Sequence, residues 1–123
     1  MRLRRLTPML QTLDLAATIA WYERLLGFHC VARQGDEWCR LERDGVALMF
    51  MVNAHLGAPA ATATQYFEVE DVEALFAALR GRATVEWGLE EMPYGMREFA
   101  IRDCSGYLLS FGEPTGERGF AAD

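Results

Sequence analysis

A strand, a helix and three more strands are written into this chain twice, in the same order, and that doubled pattern restricts the fold more than any single residue does. In the first half, residues 6–12 alternate weakly and read as a strand. Asp14 stands where an N-cap would accept the first free amides of a helix. Leu15, Ile19, Tyr22 and Leu26 then recur at helical spacing, and Gly27 is placed to end the helix with a positive φ. Strand-like segments follow at 28–33, 37–43 and 46–52, separated by Gln34-Gly35 and Asp44-Gly45. Asp-Gly is a strong tight-hairpin signal. The order restarts with a strand at 64–69, an N-cap at Asp71 and a stripe of Val72, Leu75, Phe76 and Leu79 ended by Gly81. Strands at 84–90, 97–102 and 107–111 complete it, with turns at Pro93-Tyr94-Gly95 and Asp103-Cys-Ser-Gly106.

The repeat lies in the order of elements, not in residue identity. It predicts an α+β protein of two βαβββ modules that form a curved mixed sheet with a concave cleft. Each module has one helix to cover several strands, so one sheet face is left over. Module one covers about residues 5–53 and module two about 64–113, within one domain, 1–123. Residues 54–63 read as a linker, rich in Ala with Gly57 and Pro59 and without a period. The tail after Glu113 is expected to be loose.

Charge narrows the partners. Net charge is −6, and all 12 strongly basic side chains are arginine. An acidic balance argues against nucleic acid, whose phosphates need a basic surface, and it is compatible with a cationic ligand. No apolar run is long enough for a membrane span, and no signal-peptide core follows the basic Met1-Arg-Leu-Arg-Arg-Leu6. The expectation is a cytoplasmic protein.

Cys30, Cys39 and Cys104 form no CxxC pair. Cys30 and Cys39 could oppose each other across a turn at Gln34-Gly35, but free thiols suit a reducing cytosol better. His29 and His55 have neither HxH nor HxxxH spacing and read as incidental.

Local sequence adds a family. Leu13-Asp-Leu15 followed by Trp21-Tyr-Glu-Arg-Leu-Leu-Gly-Phe28 resembles the helix signature of the vicinal oxygen chelate superfamily, which includes glyoxalases, bleomycin resistance proteins and extradiol dioxygenases. Val69-Glu-Asp-Val72 is similar to that family's second strand-to-helix junction. Pro93 to Asp103 and Gly106-Tyr-Leu-Leu-Ser-Phe111 look most like the bleomycin resistance branch. The resemblance implies a homodimer with exchanged modules, and a cup of sheet that in many members holds a divalent metal. The family's four metal-ligand positions fall here on Thr7, Met49, Thr64 and Ser110. None is an imidazole or a carboxylate, and hydroxyls plus a thioether are poor donors for such a metal. No metal and no cofactor are therefore expected.

Strand alternation gives the lining of the cup. With Phe99, Ile101 and Leu41 turned toward helices, the other parity supplies Trp38, Arg40, Met49, Met51, Tyr66, Glu68, Glu98 and Arg102, and Trp87 joins them. Rings and carboxylates together suit a flat or cationic organic molecule. The alternative for Trp38, Trp87 and Tyr66 is packing in a core or dimer interface. For Glu98 and Arg102 it is cross-strand charge pairing.

Three functions fit. The first is a metal-free, antibiotic-resistance type of binding protein that sequesters a cationic or aromatic compound in an inter-module cleft. The second is a glyoxalase-like lyase or extradiol-type dioxygenase with non-standard metal ligands. The third is acid/base catalysis by Glu68 or Glu98 in an apolar cup.

Overall fold

A computed structural model of the chain describes residues 1–52 and 64–116. The expected linker at 54–63 and most of the expected loose tail lie outside the described residues. The chain divides into two compact units, Met1–Pro59 and Ala60–Asp123. Each carries the predicted order of elements.

In the first unit β1 (Met9–Gln11) leads into α1 (Leu15–Leu26), and then into β2 (His29–Gln34), β3 (Trp38–Arg43) and β4 (Val46–Met51). The spatial order is β1-β4-β3-β2, with β1 parallel to β4 and the other pairs antiparallel. Both ends of α1 form as the sequence predicts. The Asp14 carboxylate accepts from the Ala17 amide at 3.0 Å. Gly27 takes a left-handed φ of 68°, its amide bonds back to Glu23, and the Arg43 guanidinium donates to the Leu26 carbonyl at 2.6 Å. A cation there also opposes the negative end of the helix dipole. Asp44 and Gly45 both have positive φ, as a two-residue hairpin turn requires. The buried stripe of α1 packs its Tyr22 ring against Phe28 and Phe50, and Cys39, Leu41 and Leu48 are buried as well.

The second unit repeats this with β5 (Thr64–Glu68), α2 (Val72–Leu79), β6 (Thr84–Glu91), β7 (Met96–Arg102) and β8 (Leu108–Pro114). Its order is β5-β8-β7-β6, again with the first strand parallel to the last. Phe76 of α2 meets Phe99, which stacks on Phe111, which stacks on Phe67. The β7–β8 turn is built by the buried Asp103, whose carboxylate accepts from the amides of Ser105 and Tyr107 at 2.9 Å each.

Several expectations are corrected. The described strands form two separate four-stranded sheets instead of one continuous sheet. β1 begins at Met9, so Thr7 precedes the strand; Pro8 has no amide to donate and contributes only its carbonyl, to the Met49 amide at 2.9 Å. α2 ends at Leu79, two residues before the expected Gly81, because Arg80 is already extended at φ −63°, ψ 133°. β8 continues through Pro114, paired with Met96, beyond the expected end at Phe111. Cys30 and Cys39 do not oppose each other: a bulge at residue 31 sets Cys30 against Leu41 and Cys39 against Arg33, and both thiols are free.

Candidate ligand site

Register places every sequence-selected side chain of a unit on one face of its sheet. In the first unit Trp38 lies opposite Met51 and Arg40 opposite Met49. These alternate with Cys39, Leu41, Leu48 and Phe50, which are buried toward α1. Trp38, Arg40, Met49 and Met51 are therefore half-buried on the face that α1 leaves uncovered. Arg40 is tied there to Glu42 at 2.7 Å, along its own strand.

In the second unit Tyr66 lies opposite Ser110, Ser110 opposite Ala100, and Ala100 opposite Trp87. Glu68 lies opposite Gly112, which lies opposite Glu98. Tyr66, Glu68, Trp87, Glu98 and Arg102 thus share the face turned away from α2. Trp87 reaches it through bulges in β6 on either side of it. Its indole Nε1 is buried without a hydrogen-bond partner among the described residues. Arg102 bonds Glu86 at 3.0 Å and the Gly106 carbonyl at 3.2 Å. It follows the charge-pairing alternative.

Glu98 is the centre of this face. It is 3% exposed. Three hydroxyls converge on its carboxylate: Tyr66 Oη donates to Oε1 at 3.1 Å, Tyr94 Oη donates to the same oxygen, and Ser110 Oγ donates to Oε2 at 3.4 Å. Burial first, and then the hydrogen bond to Glu98, push the Tyr94 phenol up to about 12. The same causes in the same order raise Tyr66. Both phenols stay protonated donors at neutral pH.

Gly112 makes this arrangement possible. A Cβ there would overlap the Tyr66 hydroxyl oxygen and fall 2.8 Å from its Cζ. The bare glycine lets the Tyr66 ring cross β8 to reach β7. Sequence reasoning missed both Tyr94 and Gly112. Tyr94 sits in a turn, where no strand parity applies, and the only available signal was its spacing of four residues before Glu98.

The family's metal positions do not gain donors from the fold. Ser110 spends its hydroxyl on Glu98, Thr64 lies opposite Leu108, Met49 lies between Met9 and Arg40, and Thr7 precedes β1. A divalent metal asks for imidazole or carboxylate at such positions. Among the described residues no three His, Cys, Asp or Glu side chains come together as a metal site.

Comparison with known proteins agrees with this architecture. A family model described as the Glyoxalase/Bleomycin resistance protein/Dioxygenase superfamily matches residues 4–111. No curated protein matches the chain at a significant level. The bleomycin resistance determinant encoded on transposon Tn5 is 25% identical with a TM-score of 0.75, covering 91% of this chain and 98% of its own. The bleomycin-binding protein of bleomycin-producing Streptomyces verticillus, solved with copper(II)-bleomycin, is 23% identical with a TM-score of 0.73, covering 95% and 99%. Lactoylglutathione lyase from Agrobacterium tumefaciens is 20% identical with a TM-score of 0.74, covering 89% and 92%.

Proposed function

The chain belongs to the Glyoxalase/Bleomycin resistance protein/Dioxygenase superfamily, and from that premise we propose that it is a metal-free binding protein that sequesters a cationic or aromatic small molecule. The observation that carries this reading is the buried Glu98 carboxylate on a sheet face shared with Tyr66 and Trp87. A carboxylate among rings is suited to organic cations, by charge and by cation–π contact. The half-buried Trp38, Met49 and Met51 offer the first unit's uncovered face as a second apolar surface. No step of bond making is required of these residues.

The lyase and dioxygenase reading is less well supported, because Thr7, Met49, Thr64 and Ser110 offer no ligand set for the metal those reactions use. On the binding reading, residues 1–123 act as one functional domain in a cytoplasmic homodimer with exchanged modules. Bleomycin, bound by relatives of the same fold, is the first compound to try, and resistance to such a compound is the cellular role.

Isothermal titration with bleomycin and with planar aromatic cations tests the proposal. Binding without added metal is expected, with tryptophan fluorescence quenched through Trp38 or Trp87 and not through Trp21 on α1. Absence of binding to every such compound, or a stoichiometric divalent metal in the purified protein, would count against it.

A further inference from the structure

Building on the binding reading above, we infer that Glu98 is an anchor for a ligand's ammonium group, and that the Tyr94 hydroxyl occupies the carboxylate until such a group displaces it. A buried carboxylate ordinarily sits against a cation. Glu98 is 3% exposed, yet its three partners are neutral hydroxyls. Among the described residues no arginine pairs with it. The two arginines of its own strand are engaged elsewhere, Arg97 with Glu73 and Arg102 with Glu86. The chain has no lysine to offer. The charged residues in cross-strand register with Glu98 are acidic, Glu90 opposite it on β6 and Glu68 two strands away on β5. An ammonium group brings three N–H donors and a full positive charge to oxygens now held by neutral donors. Charge-assisted hydrogen bonds of that kind are roughly twice as strong as neutral ones.

Of the three hydroxyls, Tyr94 is the one placed to leave. Ser110 is buried within β8, and Tyr66 is held across the bare Gly112. Tyr94 and Tyr66 are both exposed, at 44% and 37%, but Tyr94 lies in the turn between β6 and β7, beside Gly95 at φ 85°, outside any strand ladder. Its departure uncovers Glu98 Oε1 on the side open to solvent and leaves the Tyr66 ring beside the incoming cation. The pairing of Trp87 with Ala100 sets Trp87 one strand over from Glu98, about 4.8 Å across, and about 7 Å along the strand direction, two residues of strand rise. The ligand class is therefore an aromatic ring carrying a primary ammonium on a short arm.

Tryptamine and tryptophol, which differ only in carrying an ammonium or a hydroxyl, test this by calorimetric or NMR titration of the intact protein. Tryptamine is expected to bind at least about tenfold more tightly. Glu98→Gln should erase that preference. Tyr94→Phe should raise tryptamine affinity several-fold with no matching gain for tryptophol. That variant lies on an exposed turn, so the test survives if Glu98→Gln fails to fold. Equal binding of the two probes removes the anchor and leaves an aromatic site standing. Weaker tryptamine binding by Tyr94→Phe overturns the inference, as does absence of binding by either probe, whatever bleomycin does. If bleomycin and planar cations fail as well, the binding reading falls with it.

Discussion

At the scale of single residues, two positions matter because of what cannot be added to them. Gly112 is needed for its missing side chain, not for its backbone angles. Gly112→Ala should drive the Tyr66 phenol off Glu98 and cost about 1–3 kcal/mol, typical of forcing a methyl group into packed space. Urea denaturation measures this, and an unchanged midpoint would mean that Tyr66 does not cross β8 there. Cys39 is closed to ionisation in a similar way. Burial, followed by the nearby Cys30, pushes its thiol from 9.0 to about 11. The folded-state value is raised, so the protonated thiol's contribution to stability is complete below pH 9 and is lost as pH rises through about 11. In a thiol-labelling time course at pH 8, the exposed Cys104 should react first and the buried Cys39 only when the protein unfolds. Prompt reaction of all three thiols would contradict that order.

At the scale of elements, α2 is held by a residue far from it in sequence. Glu113 of β8 accepts from the Asp71 amide at 2.7 Å and the Val72 amide at 3.1 Å, and so caps the helix N-terminus from the sheet. Those two bonds hold its carboxyl below the ordinary 4.5. With a depressed folded-state value, the stabilisation is present above pH 4.5 and is lost as pH falls through the lower value. Glu113→Gln should therefore be less stable than the unaltered protein at pH 7, and the gap should narrow as pH falls below 4.5 and through the lowered folded-state value. Equal stabilities at pH 7 would show that the cap contributes nothing. The sequence pointed to Asp71 as the cap, and Asp71 does accept from Ala74 at 3.4 Å. Glu113 was invisible there because the contact spans 42 positions and depends on β8 running beyond Phe111. Local elements were legible for the opposite reason. Asp14, Gly27 and Asp44-Gly45 act within a few residues of themselves, so their chemistry can be read without the fold.

At the scale of the whole molecule, face assignment was legible and occupancy was not. Period-two alternation fixes which side chains share a face, so Tyr66, Glu68, Glu98 and Arg102 could be grouped in advance, whereas Trp87 reaches that face only through the bulges of β6. Alternation does not reveal who bonds whom, which is why Arg102 looked available and Tyr94 was overlooked. Net charge is the other property readable in advance, and it makes a prediction that no single contact does. At −6 the molecule carries a negative field toward any approaching solute. An organic cation should meet it faster than a neutral molecule of the same shape, but only while salt leaves the field unscreened. The screening length shrinks from about 30 Å at 0.01 M salt to about 8 Å at 0.15 M. Stopped-flow quenching of tryptophan fluorescence by tryptamine should therefore show an association rate that falls across that range. The rate for tryptophol should stay flat, and dissociation rates should change little for either. Such a split would assign the long-range attraction to the acidic molecule as a whole and the holding to Glu98. A salt-independent association rate for the cation would mean that the acidic balance serves solubility alone.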